Sequence, residues 1–316
     1  MKKMKLGKSG LEVPRIAIGC MRMSQECADL KKAEAFIRTA MELGVNYFDH
    51  ADIYDGGESE RVFAKAIGMT DTLREQMYLQ SKCDILLENG TVVGYNTTRE
   101  YIRGAVDGIL SRLQTDYLDM LLLHRPDPIC NYEELGDTLY MLKMSGKVRH
   151  FGVSNFTPNQ IRLLKRYFDE PVCVDQVQFS PLHTLMISAP INMNNPTDEA
   201  VMHEDGLLDF CRLEDITLQA WSPFQAGFDR GTYLGSYIDN PDYPELNKAL
   251  QKIADQYKIT KTSAAIAWIV RHPAKIQPVV GTMKISRLAE CLAGAEVELT
   301  REDWYAVYRA AGNVLL

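Results

Sequence analysis

One segment of the chain joins a buried strand to reactive side chains: Asn46-Tyr47-Phe48-Asp49-His50-Ala51-Asp52-Ile53-Tyr54. Its apolar-rich start predicts a strand, and the run then breaks into an acid, an imidazole, a second acid and a phenol. Asp49 ends this strand and, if ionised, needs a buried partner, because an unpaired carboxylate is too costly to remove from water. The fold must therefore bring a cation or hydrogen-bond donors to Asp49.

Two later strand ends supply candidate partners for this carboxylate. Lys82 ends a strand-like run that begins at Met77, and His124 follows three leucines. Successive parallel strands lie about 4.8 Å apart, so the outer two of three are separated by roughly 10 Å. Side chains of Tyr, Lys and His can converge across that distance. The sequence therefore predicts that Tyr54, Lys82 and His124 gather around Asp49.

The rest of the chain repeats one pattern, in which a short β-branched run, a polar break and an amphipathic helix recur roughly every 25 to 45 residues. This alternation predicts a single domain over residues 1–316, a (β/α)8 barrel of eight strands closed by eight helices. An open doubly wound sheet is the main alternative, but it would need a glycine-rich first turn, and the chain contains no G-x-G-x-x-G. The predicted strands are 15–19, 46–49, 77–82, 117–124, 148–153, 172–178, 216–221 and 276–280, and the predicted helices include 29–43, 59–67, 98–113, 132–145 and one after Pro158.

Three further segments complete the predicted architecture. Segments 4–10 and 11–14 flank a Lys-Ser-Gly turn and predict a β-hairpin before the barrel. Segments 183–204 and 224–243 are longer than usual connections, and such loops are more often functional or disordered than structural. In a barrel they would cover the C-terminal face.

Composition argues against several classes of protein, although a local basic patch remains possible. The net charge of −7 argues against a nucleic-acid partner, because binding to a phosphate backbone requires a basic face. The seven cysteines are scattered without C-x-x-C, and the histidines show no H-E-x-x-H, so we predict reduced thiols and no metal site. No run reaches membrane-spanning length, and the basic N-terminus leads into no apolar segment. We therefore expect a cytoplasmic protein without a membrane partner.

The pattern Phe48-Asp49-x-Ala51-x-x-Tyr54, followed by Lys82 and His124, resembles the Asp, Tyr, Lys and His signature of the aldo-keto reductase family. The resemblance covers nearly the whole chain and implies that the N-terminal hairpin plugs the bottom of the barrel. It also implies that Tyr54 donates a proton to a carbonyl oxygen, with the Lys82 cation favouring the phenolate. Asp49 would orient Lys82, and His124 would hydrogen-bond the same oxygen. No side chain delivers hydride, so the cofactor NADP(H) is implied.

Residues after the fifth, sixth and seventh predicted strands resemble the family's nicotinamide site. Ser154 and Asn155 match the residues that bind the carboxamide, and Gln176 matches the glutamine that reaches the same group. Trp221, which Ser222 follows, matches the position of an aromatic that stacks on the nicotinamide ring. If no other residues indicated a cofactor, the Ser-Asn pair would be interpreted as an ordinary turn and the Trp as a residue of the hydrophobic core.

Segment 281–290 follows the last strand and opens a helix, whose N-terminus would offer free N–H groups to a phosphate. It resembles the family's site for the adenosine 2′-phosphate, and its last residue matches one near the adenine amino group. The chain departs from the family pattern twice, since Cys291 stands where Asn is common and Asp55 stands where Gly is common. The candidate cofactor contacts here are Thr282, Met283, Lys284, Arg287 and Glu290.

The predicted reaction is NADPH-dependent reduction of small aldehydes or ketones to alcohols. One alternative is a cofactor-sensing regulatory subunit of the same fold with slow turnover. Another is a Schiff-base aldolase that uses Lys82 as its nucleophile. The aldolase would leave Tyr54, the Ser154-Asn155 pair and the basic last helix without a role.

Overall fold

The computed structural model describes residues 1–193, 198–203, 205–226, 228–229, 232–233 and 235–315. Within these ranges, eight parallel strands close a barrel in which each strand pairs with the next along the chain. The predicted (β/α)8 barrel is therefore confirmed. Its strands are β3 (Ala17–Gly19), β4 (Tyr47–Asp49), β5 (Tyr78–Cys83), β8 (Leu118–Leu123), β9 (Val148–Ser154), β10 (Val172–Gln178), β11 (Thr217–Trp221) and β14 (Gln277–Val280).

The predicted N-terminal hairpin is also present, as β1 (Lys3–Lys5) and β2 (Glu12–Pro14) pair antiparallel. The turn between them reaches the amino ends of the barrel strands, where the Gly7 N–H donates to Thr217 Oγ1 over 2.7 Å. Gly7 has a φ of +48°, and a Cβ there would lie 2.2 Å from the Cys173 carbonyl oxygen, so only glycine fits. The hairpin thus closes the bottom of the barrel and leaves its carboxyl ends open.

The helices pack their apolar sides against the outside of the barrel. In α2, for example, Ala33, Phe36, Ile37 and Ala40 are buried at helical spacing. No helix in the described ranges is long and apolar enough to span a membrane. The helices are α1 (Met23–Glu26), α2 (Leu30–Glu42), α3 (Glu58–Ile67), α4 (Asp71–Arg74), α5 (Arg99–Leu113), α6 (Tyr132–Met144), α7 (Pro158–Tyr167), α8 (Leu185–Ile191), α9 (Leu207–Leu213), α10 (Pro244–Tyr257), α11 (Lys261–Val270), α12 (Ile285–Glu296) and α13 (Arg301–Ala310).

The described ranges contain helices in addition to the eight of the (β/α)8 pattern, and several boundaries differ from those predicted. The first barrel strand starts at Ala17 instead of residue 15, and the helix predicted from residue 98 begins at Arg99 because Thr98 is its N-cap. Short elements also occupy both segments that were predicted as loops. Segment 183–204 contains α8, and segment 224–243 contains the two-stranded pair β12 (Phe228–Asp229) and β13 (Thr232–Tyr233).

A hairpin that was not predicted follows β5, formed by β6 (Ile85–Glu88) and β7 (Thr91–Tyr95). Its turn residues, Asn89 and Gly90, have φ values of +50° and +77°. An Asn-Gly pair with both φ angles positive is the preferred two-residue hairpin turn. The signal was therefore present in the sequence, between runs of β-branched and aliphatic residues.

Candidate active site

The four predicted catalytic residues meet at the carboxyl ends of β4, β5 and β8. Asp49 is the last residue of β4, Lys82 lies near the end of β5, and His124 directly follows β8. Tyr54 begins a 3-10 turn over Tyr54–Gly57, just beyond β4. Asp55 in this turn has a φ of +52°, a left-handed conformation that glycine adopts without strain.

Lys82 and Asp49 form a fully buried ion pair, with 2.5 Å between Nζ and Oδ1. The Lys82 ammonium also donates to the His50 carbonyl oxygen over 2.7 Å. Burial lowers the pKa of Lys82 below its ordinary value, while the neighbouring Asp49 carboxylate acts in the opposite direction. The pair therefore holds a cation in a site that excludes water.

This cation lies beside the phenol of Tyr54. The Lys82 Nζ is 5.1 Å from the centre of the Tyr54 ring, and the ring itself is half-buried. A nearby positive charge favours the ionised form of an acid and so makes the phenol a better proton donor. The geometry thus supports the role of Lys82 that the family resemblance implies.

The His124 ring lies edge-on to the Tyr54 ring, with ring centres 6.3 Å apart and planes inclined at 83°. Burial and the charges of Lys82 and Arg125 lower the pKa of His124 well below its ordinary value. The imidazole is therefore uncharged near neutral pH. A neutral imidazole carries one N–H, which can hydrogen-bond an oxygen without competing with Tyr54 as the acid.

The predicted nicotinamide contacts form one hydrogen-bonded group at the ends of β9, β10 and β11. The Ser154 hydroxyl donates to the Gln176 carbonyl oxygen over 2.7 Å, and Asn155 Nδ2 donates to Ser154 Oγ over 2.8 Å. Trp221 Nε1 donates to Asn155 Oδ1 over 3.3 Å, and Ser222 follows it with a φ of +51°. Asn155 also has a left-handed φ of +60°. The structure therefore brings these five residues together.

The Gln176 side chain turns inward toward the catalytic pair. Its Nε2 donates to Asp49 Oδ1 over 3.2 Å and to Gln219 Oε1 over 2.9 Å. Both N–H groups are thus in use inside the barrel. Only its Oε1 would then be available to a nicotinamide carboxamide, as an acceptor for that group's NH2.

The remaining predicted contacts lie at the start of α12. Lys284 is the N-cap residue and its side chain does not cap the helix, while the Thr282 hydroxyl accepts from the Lys284 N–H over 3.2 Å. Lys284 and Arg287 are exposed, and neither forms an ion pair with another described residue. Met283 and Cys291 are buried, and Glu290 is half-buried. An uncapped helix N-terminus with two uncommitted cations fits a phosphate group.

Comparison with known proteins identifies the family. The model of the Aldo/keto reductase family matches residues 15–311. The chain belongs to this family of oxidoreductases. Among its relatives, the oxidoreductase YdhF of Escherichia coli is 31% identical over 316 residues, covering 98% of this chain and 98% of that protein. The 6-dehydroglucose reductase of Novosphingobium aromaticivorans is 33% identical over 312 residues, covering 97% of this chain and 94% of that protein.

A solved structure resembles this aldo/keto reductase over almost its full length. The crystal structure of the aldo/keto reductase from Klebsiella pneumoniae, in complex with NADP and acetate, matches with a TM-score of 0.76 at 25% identity. The match covers 98% of this chain and 95% of that one.

Sequence reasoning missed part of this reductase's active-site surroundings. Gln80 and Gln219 are fully buried beneath Asp49, and Gln80 Nε2 donates to Asp49 Oδ1 over 2.6 Å. Each of these glutamines lies in a strand whose residues are almost all buried. A buried polar residue in a strand needs hydrogen-bond partners, and that requirement was the available signal.

Proposed function

We propose that the protein is an NADPH-dependent reductase of small aldehydes or ketones in which Tyr54 is the general acid. The observation that carries the proposal is the placement of the buried Lys82 ammonium 5.1 Å from the Tyr54 ring. Carbonyl reduction requires a proton donor at the oxygen as hydride reaches the carbon. A phenol beside a cation meets that requirement near neutral pH.

The residues at two places fit NADP(H). Ser154 and Asn155, with the Oε1 of Gln176, would hold the carboxamide, and Trp221 would lie against the nicotinamide ring. Lys284 and Arg287 would hold the 2′-phosphate, which distinguishes NADP from NAD. When bound, NADPH supplies the hydride, a group that no side chain can provide.

The protein's own side chains then control the proton. Tyr54 would give its hydroxyl proton to the carbonyl oxygen, which becomes the alcohol oxygen of the product. Lys82 would stabilise the phenolate that remains, and Asp49 would hold Lys82 in place. Neutral His124 would donate a hydrogen bond to the same oxygen and fix the direction of the carbonyl.

The same contacts argue against Lys82 as an aldolase nucleophile. Its ammonium is fully buried and donates to both Asp49 and the His50 carbonyl, so the free amine that a Schiff base requires is disfavoured. For the substrate we propose a small aldehyde or keto compound. Because two relatives are named 6-dehydroglucose reductase, an aldehyde sugar belongs in the first substrate panel.

The test is Tyr54→Phe, assayed for NADPH oxidation with that panel and for NADPH binding by fluorescence titration. Loss of a general acid typically lowers the rate by about 10²- to 10⁴-fold. NADPH affinity should stay unchanged, because the hydroxyl would contact the substrate and not the cofactor. Tyr140→Phe, at an exposed position of α6, is the matched control and should behave as wild type.

Two outcomes would contradict the proposal. Near-normal reduction by the Tyr54→Phe protein would remove Tyr54 from the acid role. Tight NADPH binding by the wild type without turnover of any aldehyde or ketone would instead favour the regulatory-subunit alternative.

A further inference from the structure

Four glutamines meet inside the barrel, beneath the catalytic Asp49. Gln176, Gln219 and Gln277 are register partners on the neighbouring strands β10, β11 and β14. Gln80 reaches them from β5, on the opposite side of the barrel. All four are buried, with at most 3% of their surface exposed. Burying so many amides is unfavourable unless they satisfy one another.

The N-terminal hairpin fixes which atoms of these amides donate and which accept, starting from the bottom of the barrel. Gln277 Nε2 donates to the Pro14 carbonyl oxygen over 2.6 Å, and a carbonyl oxygen can only accept. The Gln277 Oε1 must therefore point away from Pro14, where it accepts from Gln219 Nε2 over 2.9 Å. The Gln219 Oε1 in turn faces the centre of the barrel.

The same chain of hydrogen bonds continues to the carboxylate of Asp49. Gln219 Oε1 accepts from Gln80 Nε2 over 2.8 Å and from Gln176 Nε2 over 2.9 Å. Each of those amide groups has one N–H left, and both of these donate to Asp49 Oδ1, over 2.6 Å and 3.2 Å. The Tyr47 hydroxyl donates to Gln80 Oε1 over 2.7 Å, which holds the Gln80 amide in the same orientation. A flipped Gln80 would place its oxygen against two acceptors.

We propose that Gln80, Gln219 and Gln277 form a positioning ladder, anchored on the Pro14 carbonyl, that holds Asp49 and through it the Lys82 ammonium beside Tyr54. The same Asp49 Oδ1 accepts from Lys82, Gln80 and Gln176, so rotation of the carboxylate breaks three hydrogen bonds together. Without the ladder, Asp49 can turn and Lys82 can leave its place. This inference rests on the proposed role of Tyr54 as the acid.

The experiment compares three variants on one strand. Gln219→Leu removes the acceptor shared by Gln80 and Gln176 at similar volume, and should lower kcat by roughly 10- to 100-fold through misplacement of the catalytic pair. The alkaline midpoint of its kcat/KM profile should move to higher pH, because the cation is held less well. In Gln219→Glu a protonated carboxyl, which burial favours, can still donate to Gln277 and accept from Gln80 and Gln176. This variant should therefore retain most of kcat at pH near 6 but not at alkaline pH, where the carboxyl ionises.

The matched control is Thr217→Val, two residues away on β11. Thr217 accepts from the Gly7 N–H, so this variant loses a part-buried hydrogen bond to the turn of the hairpin and keeps every hydrogen bond of the ladder, including that of Gln277 to Pro14. It should lower stability and leave kcat and the pH profile unchanged. If Gln219→Leu and Thr217→Val show the same kcat and profile, the glutamines serve stability alone and the inference is overturned. If Gln219→Leu does not fold, Gln219→Glu still tests the inference. Full kcat at alkaline pH and an unshifted pH profile of kcat/KM in that variant would also overturn the inference.

A second readout separates this inference from the proposed function. Ionisation of Tyr54 is measured by tyrosinate absorbance, as the difference between each protein and the same protein carrying Tyr54→Phe. The midpoint should rise in Gln219→Leu and not in Thr217→Val, whether or not any substrate is turned over. A shifted midpoint in a protein without turnover would support the ladder while the proposed function fails. An unshifted midpoint in an active protein would overturn the ladder alone.

Discussion

At the scale of single residues, we propose that Arg287 sets the preference for NADPH over NADH. Arg287 lies in the first turn of α12, is exposed, and forms no ion pair with a described residue, so its guanidinium is available to phosphate oxygens. A charge-assisted hydrogen bond is worth about 1.5–3 kcal/mol, so Arg287→Ala should raise the Kd for NADPH by roughly 10- to 100-fold. The Kd for NADH should change much less, because NADH lacks the 2′-phosphate.

The matched control for this prediction is Arg301→Ala. Arg301 is also exposed and opens the next helix, α13, so it tests for a general effect of charge. Fluorescence titration of all three proteins with both cofactors measures the effect. Equal weakening toward NADPH and NADH in Arg287→Ala would mean that the residue supports the fold or the adenine pocket.

Contacts between individual residues could be predicted from the sequence only where they join neighbouring strands. Asp49 and Lys82 could be predicted as partners because each ends a strand, and parallel strands place such ends side by side. The contact between Gln80 and Gln219 could not be predicted, because it crosses the barrel and joins two residues that are 139 positions apart in the sequence. That contact exists only once the barrel has closed, and nothing local to either strand specifies the partner.

At the scale of elements, glycines decide how closely two helices pack. A Cβ at Gly294 in α12 would lie 2.2 Å from the Ser263 carbonyl oxygen of α11, so Gly294→Ala should force the helices apart. Overpacking of this kind costs about 1–3 kcal/mol of unfolding free energy. Gly104→Ala is the control within α5, where nothing lies within 4 Å of the new Cβ.

This control should gain about 0.4–1 kcal/mol, because alanine loses less backbone entropy on folding. Urea denaturation of the two variants and the wild type measures both effects. Changes of the same sign in the two variants would show that helix propensity and not interhelical contact governs these positions.

The elements themselves were predictable to different degrees. The barrel strands could be recognised because fully buried strands read as apolar runs bounded by turn residues. The short helix α8 and the pair β12–β13 could not, because elements of two to seven residues show no complete periodicity. Met186 and Ile187 of α8 are buried in the hydrophobic core, so tertiary contacts stabilise this short helix.

At the scale of the whole molecule, burial acts in opposite directions on acids and bases. It lowers the pKa of His50 to about 3 and of His272 to about 4. The contribution of these two residues to stability is therefore present above their unfolded pKa near 6.5 and is lost as the pH falls toward the folded pKa. Burial raises the pKa of Asp52 to about 7 and of Asp175 to about 8. These two carboxyls favour the fold when protonated, so their contribution is lost as the pH rises from about 4 to 8. The combined contribution of these four groups to stability should therefore decline between pH of about 6.5 and 8, because the two histidines become neutral in the folded and the unfolded state while the two acids still titrate in the folded protein.

Asp175 offers the sharpest test of this balance. Its side chain is fully buried in β10 and accepts no close hydrogen bond from a described residue, and the backbone N–H groups of Phe156 and Asn155 only partly offset the effect of burial on its pKa. Asp175→Asn keeps the shape and has no proton to lose, so the variant should gain stability over wild type as the pH rises from about 4 to 8, by up to about 1.4 kcal/mol per pH unit. Urea denaturation of both proteins at several pH values measures the gain, with the exposed Asp242→Asn as control. A stability difference that stays constant with pH would show that Asp175 is already ionised in the folded protein, and the predicted loss of stability toward pH 8 would then need another source.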